Sequence, residues 1–266
     1  MRRTVAIASA IVVALVVIAC VAGPIVAGWL GVDATSIDTD HGARGPSWSH
    51  WLGTDPLGRD MLVRILVGGR IALGVGLAAA TLAVVIGVAW GATAAYAGGL
   101  VDHVMMRIVD ALYGLPVVAF IIVVTSVLNT RSLAVVIALI ASVSWLTVAR
   151  ITRGQVLVLR HRGFVEAARS LGASPSRIVL RHVLPNAARP VIAYATLAVP
   201  HAMLLEAFMS FLGLGVQAPL ASWGTLVTEG SSQIVVYPWL LVGPGLAMGL
   251  TVLALNLLGD AVYRDP

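Results

Sequence analysis

Two ionisable side chains lie inside an apolar run of this sequence and could carry a proton or bind a charge. His201 and Glu206 both fall in the segment 190–211, where almost every other residue is apolar or small. Such a group within a membrane is a candidate for a substrate or proton path, because burying it in lipid is costly. The two residues are five positions apart, so they do not share one helical face. The alternative, that Glu206 bonds a neighbouring helix and orders the bundle, is favoured.

A polar stretch, residues 163–186, has the pattern of two short helices with a break between them. Four apolar residues at helical spacing predict one apolar face on the first helix: Phe164, Ala167, Ala168 and Leu171. Gly172 stands where a helix C-cap needs positive φ, and Pro185 is predicted to end the second helix. The only acid, Glu166, lies between Arg162 and Arg169. A water-exposed hairpin with one apolar face predicts a docking site for another protein.

The composition indicates a polytopic membrane protein. Of the 266 residues, 59% are hydrophobic and 11% are charged, and a soluble core of this size cannot hide that much apolar surface. All 17 basic residues are arginines, and the pI is about 10.1. In a membrane protein basic loops mark the cytoplasmic face more often than a nucleic-acid partner. The single cysteine, Cys20, excludes a disulfide within the chain and a cysteine-cluster metal site.

The sequence also excludes ATP hydrolysis by this chain alone. The phosphate-binding pattern Gly-x4-Gly-Lys-Ser/Thr is absent, and a chain without lysine cannot supply it. Any use of ATP must therefore take place on another subunit.

Six apolar segments are long enough to cross a membrane. They are residues 5–30, 71–97, 111–128, 132–149, 190–211 and 236–258. A polar loop is predicted after the second span, and residues 61–70 are predicted to lie along the outer interface. With a cytoplasmic N-terminus, twelve arginines fall in inside segments and five in outside segments, and eight of the twelve lie in 150–189. Both chain ends and the hairpin are therefore predicted to be cytoplasmic.

We divide the chain into two parts on this basis. Residues 1–70 hold the first transmembrane helix and an extracytoplasmic segment. Residues 71–266 form a five-helix core that contains the cytoplasmic loop 150–189. The fold class is all-α, with six transmembrane helices.

The hairpin resembles the signature loop of permease subunits in binding-protein-dependent ABC importers. Glu166-Ala167-Ala168 is followed by three residues, Gly172, eleven residues and Leu184-Pro185. His182 departs from the general pattern, which has Ile there, but the peptide and nickel branch has the same departure. Further segments are similar to the C-type permease of dipeptide, oligopeptide and nickel importers: 50–60, 98–116, 211–224 and 256–266.

The resemblance implies a type I ABC importer permease fold in the bacterial plasma membrane and a role in moving short peptides inward. It implies contact with an ATPase for a set of hairpin residues: Arg162, Phe164, Glu166, Ala167, Ala168, Leu171, Gly172, Leu184 and Pro185. Three residues are candidates for the translocation path or its gate: His201, Glu206 and Asn256.

The resemblance also implies the partners. They are a second permease subunit that forms a heterodimer, two ATPase subunits or one fused ATPase, and an extracytoplasmic solute-binding lipoprotein. ATP and magnesium would bind the ATPase, and this chain itself would be no enzyme and would hold no cofactor or metal. Membrane lipid surrounds the spans, and nucleic acid is not an expected partner.

Two alternatives remain open from the sequence. The same machinery could carry nickel, glutathione, haem or another small solute, because the binding protein does much of the selecting. A proton-coupled secondary transporter that works through Glu206 is the alternative from another functional class.

Overall fold

The computed structural model describes residues 2–38, 42–130 and 132–264, and its architecture there is helical. The helices are α1 (Arg2–Trp29), α2 (Met61–Ala97), α3 (Gly99–Tyr113), α4 (Val117–Leu128), α5 (Leu133–Leu159), α6 (Gly163–Ser170), α7 (Pro175–Ile178), α8 (Leu184–Phe211), α9 (Trp223–Ser231) and α10 (Trp239–Arg264). A π-helical turn, Val179–Val183, joins α7 to α8. The predicted all-α class is confirmed.

Five helical runs in the described residues are long and apolar enough to cross a membrane, and a bent pair brings the number to as many as six. The five are α1, α2, α5, the continuous run from α7 through α8, and α10. The bent pair is α3 with α4, which meet at 86°. The third crossing is therefore not the straight helix predicted for 111–128. Gly114 and Pro116 interrupt it, because a proline before α4 disfavours helical backbone in the preceding residue.

The second crossing begins ten residues earlier than predicted, at Met61 instead of residue 71. Asp60 caps its N-terminus and accepts a hydrogen bond from the Val63 N–H at 3.0 Å. The prediction that residues 61–70 lie along the interface was wrong, because they continue α2. A division of the chain at residue 70 accordingly falls inside this helix. The predicted polar loop after α2 was also wrong, since those residues form α3.

Small residues bring α2 and α5 close together. Ala83 and Ala149 are both fully buried there. A Cβ atom added to Gly87 would lie 2.8 Å from the Trp145 carbonyl oxygen. Small side chains permit such close approach in lipid, where packing drives helix association. The contact joins α2 and α5, which both contribute residues to the buried cluster beneath α6.

Gly87→Ala is expected to lower the stability of the chain by about 1–3 kcal/mol, because the new methyl group collides with backbone that cannot give way. Gly74→Ala is the matched control in the same helix, since its Cβ would meet nothing within 4 Å. The thermal unfolding midpoint in detergent measures both variants. Equal midpoints for the two would show that the close approach at Gly87 does not exist.

A buried ion cluster links the segment between α1 and α2 to helices α2 and α9. Arg64 of α2 donates from Nη1 to Asp55 Oδ2 at 2.7 Å and from Nη2 to Glu229 Oε2 of α9 at 2.9 Å. Arg59 donates to the same Asp55 carboxylate at 2.7 Å. The Arg64 and Asp55 side chains are 5% and 3% exposed, whereas Glu229 is 49% exposed. An arginine is buried only with such partners, so the cluster fastens the segment, α2 and α9 together.

Two tryptophan side chains reinforce this end. The indole N–H of Trp223 donates to the Ile65 carbonyl at 2.8 Å, and that of Trp239 donates to the Thr54 carbonyl at 3.2 Å. Both bonds run between elements that are far apart in the chain. They place the start of α10 and the start of α9 against α2 and the segment before it.

Candidate coupling site

Helix α6 lies beside the ends of α2 and α5 and the start of α8. One buried cluster joins it to α2, α5, α7 and the π-turn, and it comprises Ala92, Ala95, Val156, Val165, Ala168, Ile178 and Val183. Val165 is completely buried and Ala168 is 9% exposed. The inner face of α6 is therefore packed against the body of the chain.

The opposite face of α6 is exposed and partly apolar. Leu171 is 88% exposed and Phe164 is 40% exposed, and Ala167 lies on the same exposed side. Ala168 does not, so the prediction of one apolar face with four members was wrong. The helix has two apolar sides instead, and Val165 belongs to the inner one. The sequence carried a signal for this, because Val165 and Ala168 are three residues apart.

The charges of α6 suit its ends. Glu166 lies in the first turn and Arg169 in the last, and each complements the partial charge of its helix end. Arg162 occupies the N-cap position without a side-chain bond to the helix. Among the residues the structure describes, Glu166 makes no ion pair. These exposed charges are thus available to a partner.

Gly172 ends α6 with the backbone predicted for it. Its φ is +79°, and its N–H donates to the Arg169 carbonyl at 3.0 Å. A Cβ atom there would meet nothing within 4 Å, so the requirement for glycine is conformational and not steric. L-residues with a side chain adopt this conformation at a cost.

Gly172→Ala is expected to destabilise the turn after α6 by about 1 kcal/mol, since alanine is strained at positive φ. Gly163→Ala is the control at the other end of α6, because Gly163 has open space around it and no positive φ. Amide hydrogen exchange of α6 would report the difference as faster exchange in the first variant. Identical exchange in both variants would contradict the conformational role.

The Leu184-Pro185 pair does not end a helix. Pro185 lies in the first turn of α8, and the helix that it was predicted to stop continues to Phe211. The π-turn explains this, because the Leu184 N–H bonds the Val179 carbonyl five residues back. This wider turn accommodates Pro185, which has no backbone N–H to donate to the preceding turn. Leu184 itself packs against the cluster beneath α6, and Pro185 is exposed.

The three candidates for a translocation path have different surroundings. Glu206 is 1% exposed, and its Oε1 accepts from the hydroxyls of Ser210 at 2.8 Å and Ser222 at 2.7 Å. Since Ser222 is the N-cap of α9, Glu206 ties α8 to α9. His201 is exposed, and so is Asn256, whose amide donates to the Val252 carbonyl at 2.9 Å. The interpretation of Glu206 as an ordering residue agrees with this geometry.

The helical core and the loop around α6 match a known family. The model of the family described as "Binding-protein-dependent transport system inner membrane component" matches residues 83–264. The chain belongs to this family of transport permeases. The resemblance read from the hairpin motif is thereby confirmed, and so is placement in the inner membrane. The match covers both α6 and the Leu184-Pro185 pair.

Relatives of this permease match over most of its length. The oligopeptide transport system permease protein OppC of Bacillus subtilis (strain 168) is 40% identical over 255 residues, 96% of this chain and 82% of the relative. OppC of Escherichia coli (strain K12) is 42% identical, covering 100% of this chain and 87% of the relative. The dipeptide transport system permease protein DppC of Bacillus subtilis (strain 168) is 43% identical over 82% of this chain and 68% of the relative.

A solved structure supports the fold of the permease. A chain of the inward-facing MetNI methionine ABC transporter superimposes with a TM-score of 0.61 at 18% identity. The match covers 77% of this chain and 95% of that chain. The importer permease fold predicted from the motifs is confirmed.

Proposed function

We propose that this chain is one of two membrane-spanning subunits of an ATP-driven importer of short peptides. The relatives named as oligopeptide and dipeptide permeases, at 40–43% identity, support the peptide cargo. One structural observation carries the coupling role: α6 is fixed to the chain on one side and exposes Phe164 and Leu171 on the other. A short helix with one face packed on its own chain and the other face exposed is suited to contact a second protein.

The exposed face of α6 would sit in a cleft on an ATPase subunit. Phe164, Ala167 and Leu171 would supply apolar contact, and Arg162 and Glu166 would supply charged bonds at the rim. Ala168 acts differently in this proposal from its expected role, because it holds α6 to the permease. Closure of the ATPase on ATP would push α6, and the shared buried cluster would carry that push into the ends of α2, α5 and α8.

The remaining parts of the assembly follow from the same proposal. The α6 end faces the cytoplasm, and ATP and magnesium bind the ATPase, either as two subunits or as one fused chain. A second permease forms the other half of the membrane path. An extracytoplasmic lipoprotein delivers the peptide to the end that carries α9.

The geometry gives less support to proton-coupled transport. Glu206 accepts hydrogen bonds from two hydroxyl groups and links α8 to α9, while His201 is exposed. A pair of groups that passes a proton needs hydrogen-bond contact between them or through water. The two candidates do not share such a site.

Uptake of a labelled tripeptide tests the proposed function. Cells that carry the complete transporter should accumulate the peptide, and cells lacking this chain should not. Depleting ATP should stop uptake, whereas collapsing the proton gradient with ATP maintained should leave it intact. Uptake that follows the proton gradient would overturn ATP coupling. Competition by a nickel chelate, glutathione or haem, without competition by unlabelled peptides, would overturn the cargo.

A further inference from the structure

Helix α3 presents three different faces. Its inner face packs on the chain: Val109 is completely buried, and the Trp90 indole N–H donates to the Met105 carbonyl at 3.2 Å. A second face is an exposed apolar stripe, 38–78% exposed, made of Leu100, Val101, Val104, Ile108 and Leu112. His103 and Arg107, four residues apart, lie exposed on the third face. An exposed apolar stripe beside a basic one is typical of a helix at a lipid surface.

The acids near this basic face already have partners. Arg153 of α5 binds both oxygens of Asp102, at 2.6 and 2.7 Å. Arg150 donates to Asp110 at 2.8 Å. Arg107 makes no ion pair among the residues described by the structure. Its positive charge is therefore available to an anion.

A pocket of about 250 Å³ lies at the same place. Its lining is Gly99, Asp102, His103, Met106, Arg107, Asp110 and Arg153. The walls offer Arg107 for an anionic group, while Asp102 and Asp110 are bonded to Arg153 and Arg150. The apolar stripe begins on the adjacent face of the same helix. A ligand that fills both must carry a charged head and an apolar tail.

The connections of α3 keep it at the membrane boundary. Gly98 alone separates it from α2, and residues 114–116 separate it from α4. Both neighbours belong to membrane crossings, and α3 meets α4 at 86°. Because α2 is long and apolar enough to cross a membrane and Gly98 alone follows it, the start of α3 lies at the end of a crossing, near the membrane boundary.

We propose that α3 holds an anionic phospholipid, with the phosphate at Arg107 and the acyl chains along Val104 and Ile108. An arginine near the membrane surface attracts an anionic headgroup, and one such charge strengthens binding about fivefold. The apolar stripe excludes water from the acyl chains. This site would anchor the link between α2 and α4 to the lipid.

Native mass spectrometry of the purified chain, titrated with phosphatidylglycerol, tests the headgroup contact. Arg107→Gln should weaken binding about fivefold, since one charge is lost. Arg189→Gln is the matched control, because Arg189 is an exposed arginine at the same end but lies outside the pocket. Equal loss in both variants, or none in Arg107→Gln, would overturn the proposal.

A fluorescent label at Val104→Cys tests the stripe in membranes of cells that produce the whole transporter. Cys20 is buried, so the new cysteine is the accessible one in this chain, and membranes that hold the unsubstituted chain give the background from other subunits. Nitroxide-bearing phosphatidylglycerol should quench the label there at least twofold more than a label at Ser176→Cys in α7. A label at position 104 that is shielded from lipid and cross-links to another subunit would show that a protein covers the stripe, and the proposal would be wrong.

Discussion

Leu171→Asp should reduce peptide uptake more than tenfold, by about one to two orders of magnitude, while the chain remains folded and in the membrane. Leu171 is 88% exposed and contacts little of its own chain, so the substitution leaves the folded permease intact. Burial of a leucine in a partner contributes about 1.5–3 kcal/mol, and the new carboxylate would face an apolar cleft. The lost affinity for the ATPase then appears as lost uptake.

Peptide uptake and co-purification of the ATPase are the two measurements for this variant. Ser176→Asp is the matched control, because it adds the same charge at an exposed position of α7 outside the exposed face of α6. The control should transport peptide normally. A Leu171→Asp protein with normal uptake and a bound ATPase would show that α6 does not meet the ATPase through this face.

Arg64→Ala should lower the stability of the chain by about 3 kcal/mol, at the low end of the range for a broken buried ion pair. The variant leaves the buried Asp55 carboxylate without one of its two cations. The loss stays at the low end because Arg59 remains, and because the Leu57 and Arg59 N–H groups still donate to Asp55 at 2.9 and 3.0 Å.

Thermal unfolding in detergent checks this prediction against Glu229→Gln. Glu229 is half-exposed, and its loss of charge should lower stability by less than about 1 kcal/mol. If Arg64→Ala lowers the unfolding midpoint no more than Glu229→Gln does, Arg64 is hydrated and the cluster does not fasten α9. That result would contradict the prediction.

The crossings and the hairpin could be read from the sequence because each rests on local chemistry. Apolar length predicts a span, and positive φ at a C-cap favours Gly172. The missed features depend on distant residues. Residues 61–70 were predicted to lie outside the helix because Arg64 and Arg70 fall among the outside arginines. The structure accommodates Arg64 within α2 through Asp55 and through Glu229, which lies 165 residues further along the chain.

The coupling site shows the same division. The exposed position of Leu171 and the break at Gly172 follow from the local pattern. The spacing of Val165 and Ala168 allows a second apolar side on α6, but the local pattern does not say which of the two sides faces the chain. That depends on packing against residues of α2 and α5, which are distant in sequence. Similarly, the bend before α4 follows from Pro116, but the bonds that hold α3 against α5, from Arg150 to Asp110 and from Arg153 to Asp102, join residues 40 and 51 positions apart.

The unbroken helix through the π-turn gives the permease a lever arm. The run Pro175–Phe211 has 37 residues, and at a rise of about 1.5 Å per residue it is roughly 55 Å long. A tilt of about 5° at its α7 end would displace its far end by about 5 Å. Glu206 lies near that far end and holds the cap of α9. If α6 meets an ATPase as proposed, a small angular change at the α7 end would become a displacement of several ångströms at the far end of this run. Pro190 and Pro200 are the positions where the run can bend.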